Sequence, residues 1–272
     1  MYDLSRTVRF CVNLAPQNGD GGHRIHNSFG GWPSMSGFGA YYELDVRCRG
    51  GADPVTGYLM NISEIDKVVR QHAIPLFEET IRHRPQTAPG MLLSQLVRIL
   101  QQSLNDTVRS VRLRLTPYYS VAMRTRSPDE VEIRQQFEFS ASHRLHVASM
   151  TDQRNREVFG KCNNPNSHGH NYRIEVAVAV PLESIGVPSK PVMSLPELEA
   201  IVDGTIIHRF DHKHLNLDTN EFAMLNPSVE NIAKVCHDLL RDPIAKAGGT
   251  LAHVTVWETE KTNCRYPAGG DE

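Results

Sequence analysis

Alternation of apolar and polar positions divides the chain into strands and helices that recur in the same order twice. Arg6–Leu14 reads as a strand, and 18–39, rich in glycine, serine and proline, as a long loop. Ala40–Arg49 alternates through Tyr42, Leu44 and Val46 and predicts a second strand. Asn61–Arg70 predicts a helix, with Asn61 as cap and Glu64 completing a capping-box pattern. Pro89–Leu104 carries a helical stripe at Leu92, Leu93, Leu96, Ile99 and Leu100, and Ser110–Leu115 predicts a further strand. Arg124–Glu130 is polar and turn-like, a linker by composition.

The second passage begins with a strand at Val131–Ala141 and another at Tyr172–Val180, where Ile174, Val176, Val178 and Val180 alternate. Ser194-Leu195-Pro196-Glu197 predicts a helix opened by a capping box. Asn226-Pro227 predicts another with proline at its first position, striped by Val229, Ile232, Ala233, Cys236, Leu239 and Leu240. Leu251–Glu258 and Cys264–Tyr266 read as the closing strands. Phe29-Gly30, Gly39, Tyr42 and Val46 match Phe159-Gly160, Gly169, Tyr172 and Val176 at an offset of 130 residues. Met60 and Glu64 match Met193 and Glu197 at an offset of 133. The expectation is an internal duplication, 1–126 and 127–272, of an α+β unit: an antiparallel four-stranded sheet with two helices on one face.

The halves differ where chemistry would sit. Phe159-Gly160-Lys161-Cys162 leads through a turn to Ser167-His168-Gly169-His170-Asn171-Tyr172. Two imidazoles two residues apart on an extended chain face the same way, and a catalytic zinc site takes three protein ligands with one position open. The third comes from a neighbouring strand, where His143 stands closer than His146. Opposite His168, His170 and Cys162 the first half has Phe38, Ala40 and Trp32. Cys162 itself, close enough to fold back over the metal, fits a fourth ligand of a closed site or an inert buried thiol. Asp211 beside His212 can orient and charge an imidazole. Glu258, ending the strand Val254–Glu258, is placed to accept two hydrogen bonds from a planar amidine-like edge. His208, His214, His237 and His253 read as background.

Bulk properties narrow the setting. The net charge of −2 over 272 residues gives no basic field for nucleic acid. The five cysteines are odd in number and widely spaced, without Cys-x-x-Cys, which favours a reducing compartment. The first residues lack the apolar core of a signal peptide, and no apolar run approaches the roughly 20 residues that span a bilayer. The expectation is a cytoplasmic protein without a membrane partner.

Residues 131–272 resemble the 6-pyruvoyltetrahydropterin synthase family, which includes the related 6-carboxytetrahydropterin synthases. The matching pieces are Phe139-Ser140-Ala141-Ser142-His143, Cys162 to Tyr172, Asp211-His212-Lys213, Pro227-Ser228-Val229-Glu230-Asn231 and Trp257-Glu258-Thr259, in order. The five residues between Cys162 and His168 look like the pyruvoyl branch; the carboxy branch commonly has three. The resemblance implies a tunnelling fold, here as two tandem units, and zinc on His143, His168 and His170. It implies Cys162 as general base, Asp211 and His212 as its relay, and Glu258 as pterin anchor helped by Ser228 and Glu230. It implies 7,8-dihydroneopterin triphosphate as substrate and a homo-oligomer, with three tandem chains standing for the family's hexamer. The first half departs from the pattern, with Leu14, Phe38 and Ala40 at the ligand positions, Trp32 for the cysteine, Glu78-Glu79 for Asp-His, and Leu115 opposite Glu258. It is expected to be scaffold. Two further readings stay open: a 6-carboxytetrahydropterin synthase, and a pterin- or purine-binding protein that has lost turnover.

Overall fold

A computed structural model describes residues 1–14, 29–182 and 193–268. They form two compact units, Met1–Ile133 with Pro181 and Leu182, and Arg134–Val180 with 193–268. Residues 18–28 of the expected loop lie outside the described residues.

In the first unit, β1 (Tyr2–Val12) pairs antiparallel with β2 (Ala40–Gly50), from Tyr2 opposite Gly50 to Val12 opposite Ala40. β2 pairs with β3 (Val108–Arg114), and β3 with β4 (Tyr119–Arg124), giving the order β1-β2-β3-β4. Alternation sends Val8, Phe10, Val12, Leu44, Val46, Val111, Leu113, Val121 and Met123 into the core. α1 (Ile62–His83) supplies Ile65, Val69, Ala73 and Phe77, and α2 (Pro89–Ser103) supplies Leu92, Leu93, Leu96 and Leu100. Phe10, Tyr42 and Phe77 form an aromatic knot at the centre, with ring centroids 4.9–5.9 Å apart.

α1 runs well past the expected end at Arg70 and through Pro75. Proline removes one intrahelical hydrogen bond, but the stripe continues through Ala73 and Phe77, and burying it outweighs that loss. The capping box expected between Asn61 and Glu64 does not form; Asn61 instead caps by accepting from the Ser63 amide. β4 occupies a stretch whose short alternation predicted nothing by itself.

The second unit has the strand order β5-β6-β8-β9, built from β5 (Glu130–His143), β6 (His168–Pro181), β8 (Thr250–Thr259) and β9 (Thr262–Tyr266). The two-residue β7 (Lys213–His214) adds to β5 in parallel. The main helices are α4 (Leu195–Val202) and α7 (Val229–Lys246). A π-helical turn, Asp203–Ile207, and the short α5 (His208–Phe210) continue α4, and α6 (Leu215–Asp218) follows β7. Both arms of the capping box at Ser194 and Glu197 are formed. Phe139, Tyr172 and Phe210 pack together in the core, Phe139 on Tyr172 at 5.0 Å and on Phe210 at 6.1 Å.

Three differences from the sequence reading bear on the site. β6 starts at His168, so the His-x-His pair lies inside the strand. The connection between β5 and β6 contains a helix, α3 (Asp152–Phe159), and a 3-10 turn, Gly160–Asn163, carrying Cys162. The last long helix is capped by Ser228, so Pro227 stands one residue ahead of the cap with its carbonyl free to turn inward.

Candidate metal centre

β5 and β6 are neighbours, and β8 flanks β6 on its other side. Residues of one parity on the three strands share one face of the sheet. His143 from the end of β5, His168 and His170 from β6, and Glu258 from β8 meet there, with their ligand atoms all within 4.8 Å of one another. The Nε2 atoms of His143 and His168 are 3.1 Å apart. Glu258 Oε1 lies 3.3 Å from Nε2 of His143 and 3.4 Å from Nε2 of His170. The three imidazoles expected on one ion are therefore together. Glu258 joins them, closer to the histidines than its expected role at a heterocycle edge suggested. His143 is fully buried and the other three are half-buried.

The chemistry of this set fits a divalent cation. His143 Nδ1 is 2.7 Å from the Pro227 carbonyl oxygen, which can only accept, so Nδ1 donates there, and in its neutral form the ring turns the Nε2 lone pair toward its neighbours. His170 Nε2 is buried without a hydrogen-bond partner. Several lone pairs and a carboxylate so close together repel unless a positive charge lies among them. Burial, together with the charge of neighbouring imidazoles, holds the His168 and His170 ionisations below the ordinary histidine range, against the pull of Glu258. The His143 imidazole, seconded by His170 and His168, holds the Glu258 carboxyl below the usual carboxylate range despite partial burial. Neutral imidazoles beside an ionised carboxylate are the states that ligate metal. Among the described residues this is the group of three or more such side chains that could hold an ion, and it lies in the second unit.

The chain leaving β5 is pinned by asparagines, because its backbone has left the ladder and needs other partners. Asn216 brackets Arg144, accepting from its amide at 2.8 Å and donating to its carbonyl at 3.0 Å. Asn163 donates to the Leu145 carbonyl at 2.7 Å, Asn226 accepts from the His146 amide, and Asn155 accepts from the Val147 amide. The Leu145 amide donates to the Cys162 carbonyl at 2.9 Å. That bond ties the cysteine's turn to the strand end that carries His143. Each of these asparagines acts on a segment distant in sequence or across a loop, so no local pattern announced them; nor did any announce the Pro227 carbonyl. His146 bonds Asn163 through Nδ1 and stays out of the cluster.

Cys162 is half-buried, and burial with the nearby charge of Glu258 pushes its thiol up. Asp211 and His212 sit on the far edge of β5. The Asp211 carboxylate accepts from the Ser140 amide at 2.8 Å and faces His212 Nδ1 at 2.8 Å. The first of these, then the second, holds it below the usual carboxylate range. His212 has φ of 55° and a side chain 83% exposed, opening on a cleft of about 790 Å³ lined by Ser140, Ser142, Gly169 and Asn171. No hydrogen bond or ion pair joins Cys162 to Asp211 or His212 among the described residues. Ser228 caps α7 by accepting from the Asn231 amide. Glu230 is exposed in the first turn, where its charge is felt by Cys264.

Known proteins match this half of the chain. Human 6-pyruvoyl tetrahydrobiopterin synthase is 36% identical over 137 residues, covering 50% of this chain and 91% of that protein. The Poecilia reticulata protein of the same name is 42% identical over 130 residues, covering 47% and 84%. Among solved structures, 6-pyruvoyl tetrahydropterin synthase of Caenorhabditis elegans aligns with 30% identity and a TM-score of 0.46, covering 52% of this chain and 96% of that one. The family model described as 6-pyruvoyl tetrahydropterin synthase matches residues 132–268, half of the chain and the half that builds the His143, His168, His170 and Glu258 cluster. On that match the chain belongs to the 6-pyruvoyl tetrahydropterin synthase family.

Proposed function

We propose that the second unit is a zinc-dependent lyase that converts 7,8-dihydroneopterin triphosphate to 6-pyruvoyltetrahydropterin and releases triphosphate. The observation that carries this reading is the convergence of three imidazoles and a carboxylate, with the His143 tautomer set by the Pro227 carbonyl. His143, His168 and His170 would hold the zinc. When bound, zinc supplies a Lewis acid for the side-chain hydroxyls and a positive charge near Cys162. In the chain alone the thiol is kept protonated by burial and by Glu258, so its use as a base depends on positive charge nearby. The Cys162 thiolate then takes the proton from the side-chain carbon beside a hydroxyl, triphosphate leaves by elimination, and the ring tautomerises to the tetrahydro form. Glu258 accepts hydrogen bonds from the 2-amino and N3 N–H groups of the pterin; Ser228 and Glu230 lie at the neighbouring helix start.

His212 holds its Nδ1 against an ionised Asp211, which leaves Nε2 to exchange a proton. Its exposure, and the lack of a bond to Cys162 among the described residues, fit a relay completed by a second copy of the chain, as in a homo-oligomer of tandem chains. Separately inactive Cys162→Ala and His212→Ala proteins, mixed and reassembled, should then regain part of the activity. If the mixture stays inactive while the mixed assembly forms, the relay is not shared.

The first unit is proposed as a degenerate copy that serves as scaffold. Its strand order β1-β2-β3-β4 parallels β5-β6-β8-β9, and its Phe10, Tyr42 and Phe77 knot parallels Phe139, Tyr172 and Phe210. The deciding experiment incubates zinc-loaded protein with dihydroneopterin triphosphate and identifies the pterin by mass. A pyruvoyl product with equimolar triphosphate supports the reading. A 6-carboxy product changes it, and no release by either wild type or Cys162→Ala ends it.

A further inference from the structure

The Tyr172 hydroxyl is a buried donor with nothing to donate to. The residue is fully buried, and its oxygen has no hydrogen-bond partner among the described residues. A buried polar group left unpaired costs about 1–3 kcal/mol, and in a native fold such an exception asks for an explanation. Its ring lies on Phe139, with the imidazoles of His143 and His170 edge-on at 6.0 and 5.5 Å. The β6–β8 ladder pairs Arg173 with Trp257 and Ile174 with Val256. Tyr172 and Glu258 are the next residues beyond the end of that ladder, and Tyr172 shares a face of its strand with His170. A phenol is protonated at neutral pH, so beside a carboxylate it can serve as a donor.

Glu258 has the complementary problem. Its contacts with Nε2 of His143 and His170 are attractive only with a positive charge or a ring proton between the atoms. His143 already donates from Nδ1. A cation held by the ring nitrogens takes the place of any such proton, and the carboxylate must then ligate or find another donor. We propose that Tyr172 is that donor. With a divalent cation on His143, His168 and His170, the Tyr172 hydroxyl hydrogen-bonds the Glu258 carboxylate and fixes it to receive the N–H edge of a planar heterocycle. Tyr172 is thus a positioning residue for the substrate anchor. The inference deepens the function proposed above and rests on it for the identity of the heterocycle.

The test compares wild type, Tyr172→Phe, Glu258→Gln and the double variant. Each is melted with chelator and with zinc, and the zinc-loaded proteins are titrated with unphosphorylated 7,8-dihydroneopterin by fluorescence. With chelator, Tyr172→Phe should melt no lower than wild type, since it deletes only an unpaired hydroxyl. With zinc it should gain less than wild type, and its dihydroneopterin Kd should rise about 5- to 10-fold, the value of one hydrogen bond. In the Glu258→Gln background the same change should add less than about 2-fold, because the pair acts together. Equal zinc gain and equal affinity in Tyr172→Phe and wild type would overturn the proposal. So would an effect undiminished in Glu258→Gln, a sharp loss of stability with chelator, or a Glu258→Gln zinc affinity so weakened that the carboxylate must be a ligand. Wild type that takes up zinc without binding dihydroneopterin counts against the function, while the zinc-dependent melting gain still decides the role of Tyr172.

Discussion

Replacing His170 by alanine should uncouple the second unit from zinc without unfolding it. The side chain is half-buried, its Nε2 has no hydrogen-bond partner, and Glu258 lies 3.4 Å away. Its removal relieves a crowd of lone pairs and takes away one of the three imidazoles proposed to hold zinc. Loss of partners behind a ligand typically costs 10- to 100-fold in affinity; loss of a ligand itself should cost at least about 100-fold. A ligand at 1,000 times its Kd stabilises the folded state by about 4.1 kcal/mol. At the same zinc concentration the variant sits near 10 times its Kd and retains about 1.4 kcal/mol by the same relation. The difference of about 2.7 kcal/mol corresponds to a Tm gap on the order of 10 °C for a unit of this size. The assay is thermal melting with chelator and across a zinc titration, with hydrogen exchange read by segment. Wild type should gain protection on β5, β6 and β8, and His170→Ala should not. His237→Ala, on α7 beside Tyr266 and outside the cluster, should respond like wild type. Equal zinc-dependent gains in His170→Ala and wild type would refute the reasoning.

Further outcomes follow from the same geometry. Because His168 and His170 ionise below the ordinary histidine range in the folded chain, the unfolded chain binds more protons there. Stability measured with chelator should therefore fall as pH drops below about 6.5 and level off once the folded-state imidazoles are protonated too. The depressed carboxyl of Glu258 adds a loss at lower pH, below the ordinary glutamate value; melting that is flat from pH 7 to about 5 would contradict the first, and no further loss below about pH 4.3 would contradict the second. Gly249→Ala should destabilise by about 1–3 kcal/mol through overpacking, since a Cβ there would stand 2.7 Å from Val178 Cγ1 and 2.9 Å from Met193 Cε; urea titration checks it. Asn155→Ala should cost about 2–3 kcal/mol by orphaning backbone groups of the loop. Asn155 accepts from the Val147 amide and donates to the carbonyls of Val147, Met150 and Thr151. That variant should also lower turnover more than zinc affinity, because the loop leads to Cys162 while the ligands sit on strands.

Local pattern alone placed most of the strands and the long helices, because burial of one face imposes a period that the residues must repeat. It also singled out the His-x-His pair, since two residues on one strand share a face whatever surrounds them. The capping box at Ser194 was legible for a similar reason: both of its arms lie within four residues. Where competing local signals met, the pattern misled. Pro75 hid the second half of α1, and the turn-rich stretch before His168 hid α3.

What only the tertiary structure decided concerns partners far apart in the chain. The strand order puts Glu258 against His143 and His170, so a side chain expected at the heterocycle stands beside the imidazoles. The start of α7 brings the Pro227 carbonyl onto His143 and fixes its tautomer. Asparagines 155, 163, 216 and 226 hold the loop to which Cys162 is tied. Sequence spacing constrains neighbours along one element; which atoms share a proton or a charge depends on how elements pack, and that information is spread over the whole unit.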